Sequence, residues 1–131
     1  MDKEEALTTN AARVVREAAY APYSTFTVGA ALLTKDGKVF SGSNVENISF
    51  GLTMCAERVA LGSAISGGEK EFQFLAIVSD SKEPVVPCGA CRQVLAEFNP
   101  NLKIASSTLT GEVMEFDLSV LLPNPRQGIL G

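Results

Sequence analysis

The chain has 131 residues, enough for one domain that buries roughly two-thirds of the surface its unfolded form exposes. Hydrophobic residues supply 46% of it and charged ones 20%, below the roughly 25% usual in soluble domains, which excludes intrinsic disorder and leaves apolar surface for a subunit partner. With 11 basic against 15 acidic side chains the net charge is −4, so no positive field exists to attract a nucleic acid polymer or an anionic membrane.

Taken in chain order, residues from about Lys3 to Ala19 place Leu7, Ala11, Val14, Val15 and Ala18 at helical spacing, and Ala21-Pro22-Tyr23 stops the pattern. Phe26 to Thr34 and Val39 to Asn44 flank Lys35-Asp36-Gly37-Lys38, an Asp-Gly signal that predicts two antiparallel strands. Met54 to Ser66 reads as a buried helix with Thr53 as its cap and Gly67-Gly68 as its end. Phe72 to Ser79 has the length of a strand. Gly89 to Phe98 reads as a helix with Val94, Leu95 and Phe98 on one side, ended by Asn99-Pro100. Lys103 to Ser107 and Val113 to Phe116 predict two more strands, and Leu118 to Leu122 a last helical turn. The order α-β-β-α-β-α-β-β-α implies an α/β fold, one mixed five-stranded sheet with helices on both faces.

Two counts constrain the chemistry. The chain has no histidine, which excludes a Ser-His or Cys-His relay and any imidazole ligand. It has three cysteines, an odd number that cannot all pair within one chain, so thiolate chemistry is the better reading. The acidic opening Met1-Asp2-Lys3-Glu4-Glu5, and an apolar run from Val28 to Leu33 far short of the ~20 residues that span a bilayer, predict a soluble cytoplasmic protein without a membrane segment.

Cys55 falls near the start of the second predicted helix, and Cys88 with Cys91 at the start of the third. An i, i+3 pair on a helix points both sulfurs one way, and a helix N-terminus favours thiolate over thiol. Three sulfur anions repel one another unless a cation sits between them, and zinc suits them, being thiophilic, redox-inert and tetrahedral. Three protein ligands leave a fourth corner open to water, the mark of a catalytic site. Glu57 is too close to Cys55 for a fourth ligand yet near enough to move protons at that corner, which assigns it as general base and acid. Arg58 and Arg92 could offset the negative charge of three thiolates by donating to the sulfurs. Taken alone, the Cys88–Cys91 spacing also fits a small dithiol redox protein or half of a structural zinc site. Cys55-Ala56-Glu57 has no part in a dithiol relay, and no fourth cysteine or histidine exists to close a structural site.

Cys55-Ala56-Glu57-Arg58 followed by Pro87-Cys88-Gly89-Ala90-Cys91-Arg92-Gln93 resembles the zinc nucleoside deaminases, in particular the small cytidine deaminases. Tyr23-Ser24-Thr25-Phe26-Thr27-Val28-Gly29-Ala30-Ala31 and Asn44-Val45-Glu46-Asn47 are similar to further segments of that family, so the likeness runs from about Tyr20 to Pro123. The resemblance implies a three-layer cytidine-deaminase-like fold in a single domain over residues 1–131, with one zinc ion per chain. It implies hydrolytic deamination of free cytidine and 2′-deoxycytidine to uridine and 2′-deoxyuridine with release of ammonia, a pyrimidine salvage reaction on a small-molecule nucleoside. It also implies a homotetramer whose sites borrow residues from neighbouring subunits.

Residue roles follow from the same likeness. Asn44 and Glu46 would meet the ribose hydroxyls; residues two apart on an extended segment share a face, and an amide with a carboxylate suits a hydroxyl. Phe26 would lie along the base or sugar, although a Phe opening an apolar strand also suits plain core. The Ala56 backbone amide would hold the pyrimidine carbonyl, and Glu57 would carry protons to the ring N3 and the leaving amine. Two departures stand out. Phe50 occupies a place where the family usually has a tyrosine, and no aromatic residue follows Phe116, where the family commonly places one after Leu-Leu-Pro. A deaminase of a nucleoside antibiotic such as blasticidin S shares the zinc motifs; Asn44-Val45-Glu46-Asn47 favours an ordinary ribonucleoside.

Overall fold

The computed structural model describes residues 1–125. Its central strand β1 (Val28–Thr34) is buried at every position and pairs on both sides. After β1 the chain reverses at Gly37, whose φ of +90° is a conformation glycine adopts without steric cost, and returns as β2 (Val39–Ser43). On the other side β3 (Phe72–Ser79) runs antiparallel to β1, β4 (Lys103–Thr108) parallel to β3, and β5 (Val113–Asp117) antiparallel to β4, giving the order β2-β1-β3-β4-β5. Helices cover both faces, which is why β1 and β3 are nearly unbroken apolar runs rather than alternating ones.

Helix α1 (Lys3–Val15) covers one face, over a core of Ala12, Ala31, Leu33, Phe74, Ala76, Val78 and Ala105. Helices α2 (Ala56–Ser66), α3 (Gly89–Ala96) and α4 (Leu118–Leu121) cover the other, over Leu32, Leu61, Leu75, Ile77, Leu95, Ile104 and Leu118. The architecture is the three-layer α/β arrangement with one mixed five-stranded sheet. Among the described residues no helix is long and apolar enough to cross a membrane.

The inward face of α1 differs from the one its apolar residues predict. Leu7 and Val14 are 59% and 61% exposed, while Glu5, Thr8, Thr9 and Ala12 face the sheet. Close approach decides this: a Cβ on Gly29 would stand 2.0 Å from the Ala12 carbonyl oxygen and 2.8 Å from the Arg16 nitrogen. Only small side chains fit between a helix and strand at that separation, so the bulky ones turn outward. An Asp2–Glu5 capping box starts the helix, and it gives way at Arg16–Ala18 to a 3₁₀ turn, earlier than the predicted end at Ala19. Gly29→Ala should therefore destabilise the protein by about 3 kcal/mol, because backbone rather than a flexible side chain must move. Gly51→Ala, which meets nothing within 4 Å, is the control. Urea midpoints measure both, and an unchanged midpoint for Gly29→Ala would refute the close-packing account.

Strand pairing gathers the chain segments that matter for function. Gly29 lies opposite Ser43 and Val28 opposite Ser79, so the start of β1 and the ends of β2 and β3 share one end of the sheet. From there the chain leads into α2 through Asn44–Cys55 and into α3 through Asp80–Cys88. Helix α2 begins at Ala56 rather than Met54, and Cys55, not Thr53, is its N-cap. Met54 is held instead in an antiparallel bridge with Val45, and the Thr53 hydroxyl accepts from the Asn47 amide at 3.2 Å. Helix α3 likewise has Cys88 as N-cap and stops at Ala96; Leu95 points inward, whereas Val94 is 38% exposed.

Candidate active site and metal centre

Neither N-cap cysteine uses its side chain to cap its helix. Both sulfurs turn toward each other, with Cys55 Sγ 3.8 Å from Cys88 Sγ and Cys88 Sγ 3.4 Å from Cys91 Sγ, and all three lie within 4.8 Å of one another. Sulfurs bound at ~2.3 Å to one tetrahedral zinc ion sit roughly 3.8 Å apart, so the trio has the size and softness that zinc requires. Their protonation makes the same point. The Cys91 thiol and then the Arg58 guanidinium draw Cys55 down to about 5, while Cys55 and burial push Cys91 upward. Without a cation, negative charge on Cys55 disfavours ionisation of Cys91 beside it. A divalent ion removes that conflict.

The sulfurs open onto a cavity of about 370 Å³, within the ~300–1,000 Å³ range of small-molecule sites. Cys55 and Cys88 line it, while Cys91 lies fully buried beneath. Glu57, in the first turn of α2, also lines it and is only 6% exposed. Burial, aided by the negative Cys55 sulfur, pushes its carboxyl up to about 6, with its own backbone amide, Cys91 and Arg58 opposing in part. Ala56 forms the adjoining wall. The Cys55 side chain caps none of the first-turn amides of α2; the Arg58 amide donates to the Cys55 carbonyl at 3.1 Å, and among the described residues the Ala56 amide has no acceptor.

The opposite wall comes from the ends of β1 and β2. Asn44 is 7% exposed; its Oδ1 accepts from the Val28 amide at 2.9 Å and its Nδ2 donates to the Phe26 carbonyl at 2.8 Å. This side chain substitutes for a strand partner, and it explains why β1 begins at Val28 rather than Phe26. One amide hydrogen and one oxygen lone pair remain for a ligand. Glu46, also 7% exposed, accepts from the Tyr23 and Ser24 amides through Oε1, at 3.0 and 3.2 Å, and from the Ser24 hydroxyl through Oε2. The Ser24 hydroxyl and those amides hold its carboxyl below the usual carboxylate range against the opposing effect of burial. Phe26 lines the cavity between these two polar residues and is 37% exposed, so it is wall rather than core.

Thus the structure brings Cys55, Cys88, Glu57, Ala56, Asn44, Glu46 and Phe26 to one cavity, with Cys91 behind it. The two arginines separate. Arg58 Nη2 points to the Cys55 sulfur at 3.9 Å and to the Thr53 carbonyl at 3.2 Å. Arg92 does not reach the sulfurs as expected: Nε donates to the Pro87 carbonyl at 2.7 Å and Nη1 to the Leu121 carbonyl at 3.1 Å, tying the loop before Cys88 to α4. Two backbone carbonyls within reach of its rigid planar fork take these donors instead. Residues the sequence did not single out also line the cavity. Val85 and Val86 stand between Pro84 and Pro87, an apolar pair in a proline-bounded loop, and Ser24 precedes Phe26 by two. The expected absence of an aromatic residue beyond Leu122 concerns a tail of which residues 126–131 lie outside the described part.

Comparison with known proteins agrees with this geometry. Residues 1–106 match the cytidine and deoxycytidylate deaminase zinc-binding region. The cytidine deaminase of Halalkalibacterium halodurans is 55% identical over 109 residues, spanning 82% of this chain and 83% of that one. A blasticidin-S deaminase of Bacillus cereus is 34% identical over 104 residues, 73% of this chain and 74% of the other. The crystal structure of cytidine deaminase from Burkholderia pseudomallei superposes with a TM-score of 0.88 at 48% identity, covering 95% of this chain and 98% of that one. A three-sulfur group at two helix starts, on a fold shared at this level, places the chain in the cytidine and deoxycytidylate deaminase zinc-binding family.

Proposed function

We propose that the protein is a single-domain cytidine deaminase over residues 1–131, hydrolysing free cytidine and 2′-deoxycytidine to uridine and 2′-deoxyuridine. One observation carries this reading: two sulfurs of a three-cysteine cluster and a buried carboxyl face the same nucleoside-sized cavity that Asn44 and Glu46 close from the other side. In it Cys55, Cys88 and Cys91 hold one zinc ion, which when bound supplies a Lewis acid able to activate water near neutral pH.

The chain's own groups do the rest. Glu57 takes a proton from the attacking water and passes it to the ring N3 as oxygen adds at C4. It then takes the proton of the hydroxyl now on C4 and delivers it to the exocyclic amine, so that the C4–N bond breaks as the C4 carbonyl forms and ammonia leaves; cytidine plus water become uridine plus ammonia. The free Ala56 amide donates to the pyrimidine carbonyl, and Phe26 lies along the base. Asn44, with one amide hydrogen and one oxygen lone pair unspent, and Glu46, with one acceptor position unspent, take sugar hydroxyls, Glu46 as an acceptor only. Arg58 tempers the charge on Cys55, and Arg92 positions Cys88 by fixing Pro87.

The enzyme works on free nucleosides in pyrimidine salvage, in the cytoplasm, where three free thiols stay reduced. It assembles as a homotetramer. Ile48, Phe50 and Leu52, beside the cavity mouth, are 84%, 75% and 69% exposed, an apolar surface that a neighbouring subunit would cover. Phe50 lines the cavity without a hydroxyl to offer a nucleoside.

Incubating the zinc-loaded protein with cytidine, 2′-deoxycytidine and blasticidin S, and following absorbance with product identification by chromatography, tests the reading. Uridine and 2′-deoxyuridine should appear, with blasticidin S turned over much more slowly. Turnover of the antibiotic alone would replace cytidine as substrate, and no turnover of any would leave a zinc or dithiol binding protein.

A further inference from the structure

The cavity wall that faces Glu57 rests on a short irregular segment, Tyr23–Thr27, that no helix or strand supports. Its shape is costly: Thr25 has φ +62°, in the left-handed region that β-branched residues rarely adopt. Something must hold it. At its far end the Thr27 hydroxyl accepts from Arg16 Nη1 at 2.7 Å and donates to Asp80 Oδ2 at 3.0 Å. At its near end the Ser24 hydroxyl donates to Glu46 Oε2 and accepts from the Phe26 amide at 3.0 Å. That one oxygen therefore joins a carboxylate on the sugar side of the cavity to the backbone of the aromatic wall.

We propose that Ser24 is a positioning residue that aims Glu46 at the sugar and sets Phe26 beside it, so that recognition of the sugar hydroxyls depends on a side chain that does not itself take part in the reaction. This rests on the functional reading above. Glu46 Oε1 is filled by two backbone amides, and Oε2 takes the Ser24 hydroxyl, which leaves Oε2 a single direction for a further donor. With Ser24 in place that direction is fixed before substrate arrives; without it Oε2 is free to turn and to bind water. The same hydroxyl, with the Tyr23 and Ser24 amides, holds the carboxyl below its usual range, which favours the acceptor-only form.

The test compares cytidine with 2′,3′-dideoxycytidine in the zinc-loaded wild type, Ser24→Ala and Ser24→Thr. Loss of a hydrogen bond to a charged group corresponds to roughly a tenfold or greater change. Ser24→Ala should raise KM for cytidine about tenfold while kcat stays within about twofold, and should change KM for the dideoxy substrate much less. Ser24→Thr, which keeps the hydroxyl, should match the wild type on both. Equal penalties on both substrates, no penalty on either, or a threonine variant as impaired as the alanine one each overturn the proposal. A wild type inactive on cytidine overturns the functional reading instead, and this inference with it. Zinc content and melting temperature, unchanged in the variants, separate these results from misfolding.

Discussion

Glu57→Gln should lower kcat for cytidine by ~10²–10⁴ or more while the protein still binds about one zinc per chain. Glutamine keeps the shape of the side chain and its place in the first turn of α2, but its amide cannot take up and release a proton. Binding is expected to survive, because Asn44, Glu46, Phe26 and the sulfurs are untouched; KM should therefore change far less than kcat. Stability should not fall. Glu57 is 6% exposed, and a neutral amide is less costly to bury there than a carboxylate. Steady-state kinetics, zinc quantification by a chromophoric chelator and a thermal melt on one preparation check all three. Retained activity would remove Glu57 from proton transfer, and loss of zinc together with activity would make it part of the metal's coordination instead.

Cys88→Ala should abolish activity by emptying the metal site. Its sulfur is the hinge of the trio, 3.8 Å from Cys55 and 3.4 Å from Cys91, and each of the others belongs to a different helix start. Two remaining thiolates bind zinc weakly, so affinity should fall by more than the ~10–100-fold typical when an outer-shell partner is lost. Metal removal from the wild type by a strong chelator should reproduce the loss of activity, and added ZnCl₂ should restore the wild type but not the variant. The fold is expected to persist, since the two cores on either side of the sheet contain neither Cys55 nor Cys88. Full zinc occupancy in Cys88→Ala, or full activity after thorough metal removal, would refute the assignment.

Much of this was legible before any coordinates. The Asp36-Gly37 turn, the largely apolar strands expected over Phe26 to Thr34 and Phe72 to Ser79, and the alternation of helices and strands follow from local spacing, and each element exists, the first of these strands starting two residues later at Val28. The three cysteines could be grouped on a chemical argument alone, because sulfur anions at two helix starts in a chain without histidine need a cation. Where the reading failed, the deciding contact lay far away in sequence. Leu7 and Val14 look like a buried stripe until Gly29 brings Ala12 against the sheet. Thr53 looks like a helix cap until Val45 bridges Met54 and moves the helix start to Cys55. Arg92 looks like a partner of Cys91 until Pro87 and Leu121 present their carbonyls to it.

The sequence by itself determined the kinds of groups available: three soft anionic ligands, a carboxyl next to one of them, an Asn–x–Glu pair, and enough apolar residues to bury a sheet on both faces. Covalent spacing and side-chain chemistry suffice for that. Only the tertiary structure decided how those groups are spent. It occupies half of Asn44 on the start of β1, fills one oxygen of Glu46 and engages the other from the Tyr23–Ser24 turn, and closes one cavity around segments from Ser24 to Cys88. The physical reason is that hydrogen bonds and close packing join residues dozens of positions apart, and which donors remain free for a ligand depends on all of those partners at once.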